Sequence, residues 1–135
     1  MPKSIYVGLP VKNLAASTQF YEAIGFKKDE RFSDDTTSTM IWSDTITFQL
    51  QTYDKFKGWV SKEVADARTM SGVLLTLSQD SRNEVDAIVE AAAKAGGKAG
   101  TRAPIDMDWL YNRSFEDPDG HMFEAVWLDM KGTGM

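Results

Sequence analysis

The stretch Phe115–Leu128, FEDPDGHMFEAVWL, decides how the rest of the chain reads. Asp117-Pro118-Asp119-Gly120 is a tight turn. Proline presets φ at the second position, aspartate bonds its neighbouring backbone, and glycine accepts positive φ. A strand follows. Alternation places Met122, Glu124 and Val126 on one face, with Phe123, Ala125 and Trp127 on the other. The second face is wholly apolar, so it is expected to pack against a helix. Glu124 then lies on the opposite face between two apolar neighbours. A carboxylate in that setting points to function.

Outward from this stretch, the chain reads as one pattern written twice. Ser4–Leu9 is a strand, with Ile5, Val7 and Leu9 alternating against Ser4, Tyr6 and Gly8. Asn13 is a good N-cap for a helix from Leu14 to about Ile24. Ala16, Phe20 and Ile24 share one face of that helix, Tyr21 lies beside them, and Gly25 stops it. Strands are expected over Phe26–Phe32, Thr39–Trp42 and Thr45–Thr52. In the last of these Ile46, Phe48 and Leu50 face one way, and Thr45, Thr47, Gln49 and Gln51 the other. After a long connection the order recurs. Val73–Ser78 is a strand, and Ser81 with Glu84 forms a capping box. Val85, Ile88, Val89 and Ala92 make an apolar stripe, and Gly96-Gly97 end the helix. Strands follow near Lys98–Thr101, Leu110–Glu116 and His121–Leu128.

Strand, capped helix, glycine stop and three strands thus occur in each half. The expected division is a first module over 1–52, a connection over 53–71, a second module over 72–128, and a Gly-rich tail over 129–135 that frays. Periodicity alone implies an α+β chain with one helix per half. The nineteen-residue connection Tyr53–Ser71 carries Phe56, Trp59 and Val64. A stretch of that length and content either covers part of a cavity or interface, or packs its aromatics in a helical turn for stability.

Composition narrows the function classes. Fifteen basic against twenty acidic residues leave a net charge of −5 with no basic cluster. Nucleic-acid binding is therefore not expected, because attraction to phosphate dominates that affinity. There is no cysteine, which removes disulfides, thiolate ligands and a thiol nucleophile, and fits a cytoplasmic protein. The opening residues MPKSIYVGLPVKNL hold no apolar signal-like core. The longest apolar run is four residues, Ala125–Leu128, so no membrane-spanning helix is expected. No serine nucleophile elbow or phosphate loop is present, and Gly96-Gly97 lacks the surroundings of a dinucleotide fingerprint.

The motif FEDPDG with Glu124 after it, together with LPVKNLAASTQFYEAIGF at 9–26, resembles the vicinal oxygen chelate superfamily over nearly the whole chain. That superfamily includes glyoxalase I (lactoylglutathione lyase), extradiol dioxygenases and bleomycin resistance proteins. The resemblance implies two βαβββ modules whose strands curl into paired cups around a cavity. It also implies a homodimer. In metal-dependent relatives four inward side chains, mostly His and Glu, bind a divalent cation. By position these fall on Tyr6, on Gln49, on Val73 or Leu74, and on Glu124. Only Glu124 keeps a ligand type. A phenol, an amide and an aliphatic group make a poor divalent site, so no tight metal and no cofactor is expected. His121, the single histidine, lies an odd number of residues from Glu124 and is read as exposed or capping the turn.

Without a metal, Glu124 needs a partner. The candidates are Tyr6, Gln49, Tyr111 and Arg113. Arg113 and Tyr111 share a face with Phe115, and the register leaves that face open. Facing inward, Arg113 pairs with Glu124 or holds an anionic ligand; facing outward, it is a surface charge. Trp42, Phe56, Trp59, Trp109 and Tyr111 are available to line a pocket, or are ordinary core and interface residues. The favoured reading is a protein that holds a small organic molecule, partly aromatic or anionic, in an apolar cavity, with Tyr6, Gln49, Trp109, Tyr111, Arg113 and Glu124 as ligand-binding residues. The alternative is a lyase or dioxygenase-type enzyme using Glu124 as base or metal ligand. A third reading is an interaction module whose cavity its own side chains fill.

Overall fold

The structure is a computed structural model and describes residues 2–129 and 131. The chain divides into two compact units at Asp66/Ala67. Of the tail expected over 129–135, residues 130 and 132–135 lie outside the described residues.

The first unit runs β1 (Ile5–Val11), α1 (Leu14–Ala23), β2 (Lys27–Lys28), a 3-10 turn (Glu30–Phe32), β3 (Thr37–Ser43), β4 (Ile46–Thr52) and α2 (Tyr53–Lys57). Its four strands lie in the order β1-β4-β3-β2. β1 runs parallel to β4, and β4 antiparallel to β3. Asn13 caps α1 as expected, its side chain accepting from the Ala16 amide at 3.0 Å. At the other end Gly25 has φ +111°, and the Phe26 amide donates back to the Tyr21 carbonyl at 2.9 Å.

The buried face of α1 is Ser17, Thr18, Phe20, Tyr21 and Ile24. Ala16, expected on that face, is exposed. At 100° per residue Ser17 falls in the middle of the arc spanned by Phe20, Tyr21 and Ile24, whereas Ala16 falls about 40° outside it. Ser17 is small enough to be buried on this face, and the rings of Tyr21, Phe26 and Phe48 pack on one another in the same core, Tyr21–Phe26 at 5.2 Å and Phe26–Phe48 at 5.0 Å. The strand expected over Phe26–Phe32 is cut short. Asp29 caps the 3-10 turn, its carboxylate accepting from the Arg31 amide at 3.1 Å.

The second unit runs β5 (Leu74–Ser78), α3 (Arg82–Lys94), β6 (Lys98–Ala99), β7 (Ile105–Met107), β8 (Leu110–Glu116) and β9 (Met122–Leu128). Its sheet has the order β5-β9-β8-β6, with β7 pairing β8. The Ser81 hydroxyl accepts from the Glu84 amide at 3.1 Å, and Glu84 reaches back to the Asp80 amide at 2.8 Å. Val85, Ile88, Val89 and Ala92 are all buried, as the stripe predicts. They meet Phe115, Phe123 and Ala125, which are fully buried in the sheet. The apolar face of β9 therefore packs on a helix as expected.

The DPDG turn is held tightly. The Asp117 carboxylate accepts from the amides of Asp119 (3.0 Å) and His121 (2.8 Å). Gly120 has φ +92°, and a Cβ there would lie 2.8 Å from the Ala67 carbonyl oxygen and 2.9 Å from the Arg68 Cα. The start of the second unit's chain passes directly over this glycine.

Two elements were not legible from periodicity. α2 is five residues long and follows β4 without a gap. β7 is three residues, all exposed, and forms a hairpin with β8. Elements this short carry too few residues for a period to show.

Candidate functional site

Pairing in the second sheet sets the surroundings of Glu124. β5 runs parallel to β9 with Thr76 opposite Glu124, and β8 runs antiparallel with Ser114 opposite Glu124. Thr76, Glu124, Ser114 and Asn112 therefore share the face turned away from α3. Leu74, Met122 and Val126 flank them on that face and are at least partly exposed. The result is an apolar patch with one polar centre.

That centre is a closed set of hydrogen bonds. The Arg102 guanidinium donates through Nη2 to Glu124 Oε2 and to Asn112 Oδ1, and through Nη1 to the Ala103 carbonyl at 2.9 Å. The Thr76 hydroxyl donates to Glu124 Oε1 at 3.1 Å, and Asn112 Nδ2 donates to the same oxygen at 3.4 Å. The Arg102 backbone is tied down as well. Its amide donates to Ser114 Oγ at 3.1 Å, and the Thr101 hydroxyl donates to the same oxygen at 2.9 Å. The Glu124 side chain is 16% exposed and that of Arg102 36%.

Burial pushes the Glu124 carboxyl up. The donors Arg102, Asn112 and Thr76 and the Arg102 charge outweigh burial and hold it below the ordinary glutamate value. A depressed carboxylate stabilises the fold above the unfolded value of 4.5, and this contribution is lost as pH falls through the lower folded value. Glu124→Gln is therefore expected to cost about 1–2 kcal/mol at neutral pH, between a surface and a buried ion pair. At about pH 3 the gap to the native protein should narrow. Thermal melts across pH check this. A gap that stays constant down to low pH would mean the carboxylate charge contributes nothing.

The other candidate residues fall elsewhere. Phe115 is buried against α3, so alternation turns Tyr111 and Arg113 to the helix side as well. There the Tyr111 hydroxyl donates to Asp86 Oδ1 at 2.7 Å, and Arg113 Nη1 to the same oxygen at 2.8 Å. The hydrogen bond from Tyr111, with that from Arg113 and the Arg113 charge, outweighs burial and leaves the Asp86 carboxyl below its ordinary value. Neither Tyr111 nor Arg113 is the partner of Glu124; that partner is Arg102. Trp109 sits in the two-residue turn of the β7–β8 hairpin, where its carbonyl accepts from the Asp129 amide at 2.8 Å. Arg82, at the start of α3, lies over the rings of Tyr111 (5.2 Å) and Trp127 (5.0 Å) and bonds Asp106 at 2.6 Å, fastening that hairpin to the helix.

Tyr6 and Gln49 belong to the first unit. They lie on the face of its sheet turned away from α1, where Tyr6 pairs with Thr47 and Gln49 with Gly8. Tyr6 is 67% exposed. On that face Phe56 approaches Gly8, whose added Cβ would lie 3.7 Å from the ring. Part of the long connection thus packs its aromatic for stability, as one of its two readings expects. Trp59 remains 70% exposed. Phe56, Trp59, Val60 and Val64 help line a hollow of about 400 Å³. Glu124 is not part of it. Trp42 packs on Phe26 at 4.9 Å.

Sequence reasoning missed Arg102. It stands in GTRAP, a stretch with no period, and only the fold of the loop between β6 and β7 brings it to Glu124. A faint signal existed. Asn112 and Ser114 form a polar row on β8 opposite in parity to Tyr111, Arg113 and Phe115, and a polar row beside a carboxylate marks its face.

Residues 3–125 match the sequence model of the Glyoxalase/Bleomycin resistance protein/Dioxygenase superfamily. The chain belongs to this superfamily. Solved structures agree. A hypothetical protein from S. aureus superposes with TM-score 0.78 at 28% identity, covering 94% of this chain and 95% of its own. A glyoxalase/bleomycin resistance protein/dioxygenase family enzyme from Burkholderia phytofirmans PsJN gives 0.76 at 18%, covering 95% and 100%. The fosfomycin resistance protein FosX from Mesorhizobium loti gives 0.70 at 14%, covering 100% and 99%. No curated protein matches the chain in sequence.

Membership raises the question of a divalent metal, and the donor chemistry of this chain does not fit one. Leu74, rather than Val73, shares the sheet face of Glu124, and it is aliphatic. Tyr6 offers a phenol and Gln49 a neutral amide. Glu124 is the one charged donor, and a fixed cation, Arg102, already holds it. Among the described residues no group of three or more His, Cys, Asp or Glu is placed to hold an ion. Imidazole or several carboxylates are what such sites require.

Proposed function

We propose that the protein binds a small organic molecule on the Glu124 face of the second sheet, without a resident divalent metal. The observation that carries this reading is the Arg102–Glu124 pair. Where metal-dependent relatives place a metal ligand at this position, a built-in guanidinium balances the carboxylate here. Leu74, Met122 and Val126 around a few convergent polar groups have the composition of a small-molecule site. A fosfomycin resistance protein among the similar folds is compatible with small-molecule chemistry, although at 14% identity it speaks for the fold alone.

The enzyme alternative asks Glu124 to act as a base. A carboxyl held below its ordinary value, with three donors on it, is a weak proton acceptor. A homodimer and a cytoplasmic setting complete the proposal. No helix among the described residues is long and apolar enough to cross a membrane, which says nothing of strands.

Two measurements test the reading. Metal analysis of the dialysed protein is expected to find Ni, Zn, Fe and Mn each well below one per chain, and a stoichiometric metal overturns the metal-free reading. A thermal-shift screen of small molecules is expected to yield ligands that raise the melting temperature. At a hundred times Kd, a ligand stabilises by about 2.7 kcal/mol. That is roughly 8–10 °C for a chain of this size. Arg102→Ala should remove that shift. A shift unchanged in Arg102→Ala places the site elsewhere.

A further inference from the structure

We infer that the Glu124 face selects an uncharged ligand whose polar end both donates and accepts hydrogen bonds, such as a primary amide, carried on an apolar body. The inference rests on the small-molecule reading and goes beyond it by naming the ligand class.

The argument starts from charge. Arg102 and Glu124 lie in direct contact, and the pair sums to zero. Among the described residues no other charged side chain is bonded to either, and the remaining members of the cluster, Thr76, Asn112, Ser114 and Thr101, are neutral. An anion brought to this face meets the carboxylate as well as the guanidinium. A cation meets the guanidinium as well as the carboxylate. Either must give up its hydration for a site whose own charges are already matched, so neither recovers what desolvation costs.

Hydrogen-bonding capacity points the same way. A guanidinium carries five N–H donors, and three of those of Arg102 are used, on Glu124, Asn112 and the Ala103 carbonyl. A carboxylate offers about four lone-pair sites, and three donors reach Glu124. The Thr76 hydroxyl donates to Glu124 and keeps its own acceptor sites. Spare donors and spare acceptors therefore stand side by side. A group holding one of each satisfies both, and a carboxylate or an ammonium satisfies one kind only. The flanking Leu74, Met122 and Val126 supply contact for an apolar body.

Three isosteric probes isolate the charge: benzamide (neutral), benzoate (anion) and benzamidinium (cation). Each is titrated into the ¹⁵N-labelled full chain at pH 7, with the Asn112 side-chain amide and the Thr76 and Glu124 backbone amides as reporters. Benzamide is expected to shift all three at least tenfold more tightly than either charged analogue. Glu124→Gln leaves Arg102 unbalanced and should move the preference to benzoate. Arg102→Ala leaves Glu124 unbalanced and should move it to benzamidinium. Glu124→Gln keeps the side-chain shape, so it serves if Arg102→Ala fails to fold. The net charge of −5 favours benzamidinium over benzoate, and the protein stays anionic in both variants, so inversion between variants is the readout.

Benzoate or benzamidinium binding tightest to the native protein, or all three binding equally, overturns the inference and leaves the small-molecule reading standing. Unchanged preference in both variants also overturns it. If none of the three shifts these resonances in the native chain or in either variant, the small-molecule reading of this face falls with it.

Discussion

Gly120→Ala should lower stability by about 2–5 kcal/mol, the sum of two independent costs. The backbone there has φ +92°, which costs an L-residue about 1–2 kcal/mol. The added methyl would also lie 2.8 Å from the Ala67 carbonyl oxygen and 2.9 Å from the Arg68 Cα. Both are backbone atoms and cannot rotate away, so the overpacking adds about 1–3 kcal/mol. At this chain length the melting temperature should drop by roughly 10 °C. Gly100→Ala separates the terms. Its φ is +68° with nothing within 4 Å of the new methyl, so the conformational cost alone applies. Equal losses in thermal melts of the two variants would show that the Ala67–Arg68 segment yields, and that the close approach contributes nothing.

The second large effect lies three residues on. Phe123→Ala removes a fully buried ring that stacks on Phe115, with centroids 5.1 Å apart and planes 13° from parallel. Phe→Ala in such a core costs about 3–5 kcal/mol. Phe123→Leu keeps most of the apolar volume and should cost about 1.5 kcal/mol or less. Denaturant titration measures both, and a loss under about 1 kcal/mol for the alanine variant would mean the sheet collapses readily onto α3. The functional consequence follows from alternation. Phe123 anchors β9 on the helix side, and that anchor aims Glu124 at the other face. Phe123→Ala should therefore also weaken any ligand bound beside Glu124.

The same alternation explains how much of the site could be read beforehand. Within β9 the two faces were legible because a strand has a period of two. The helix-facing role of Phe123 and Ala125 needed only the residues between 122 and 128. Arg113 is the contrasting case. Its parity with Phe115 was plain, but which face that parity occupied depended on where α3 packed. α3 settled it by burying Phe115 and offering Asp86 to Arg113. Ala16 shows a milder form of the limit. Residue types marked the apolar arc of α1, but its centre fell on Ser17, a polar residue small enough to bury.

The order of the longer strands and the two main helices, the caps of those helices, the DPDG turn, the duplicated pattern and the place of Glu124 between Met122 and Val126 along its strand all follow from the residues alone. These are local properties, written in spacings of two to four residues and in single turn and capping residues. Tertiary structure decided who stands next to that carboxylate. Thr76 reaches it through a parallel pairing 48 residues away, Asn112 across a hairpin, and Arg102 from a loop without periodicity. Such contacts depend on strand register, which the folded sheet sets and no short stretch of residues encodes.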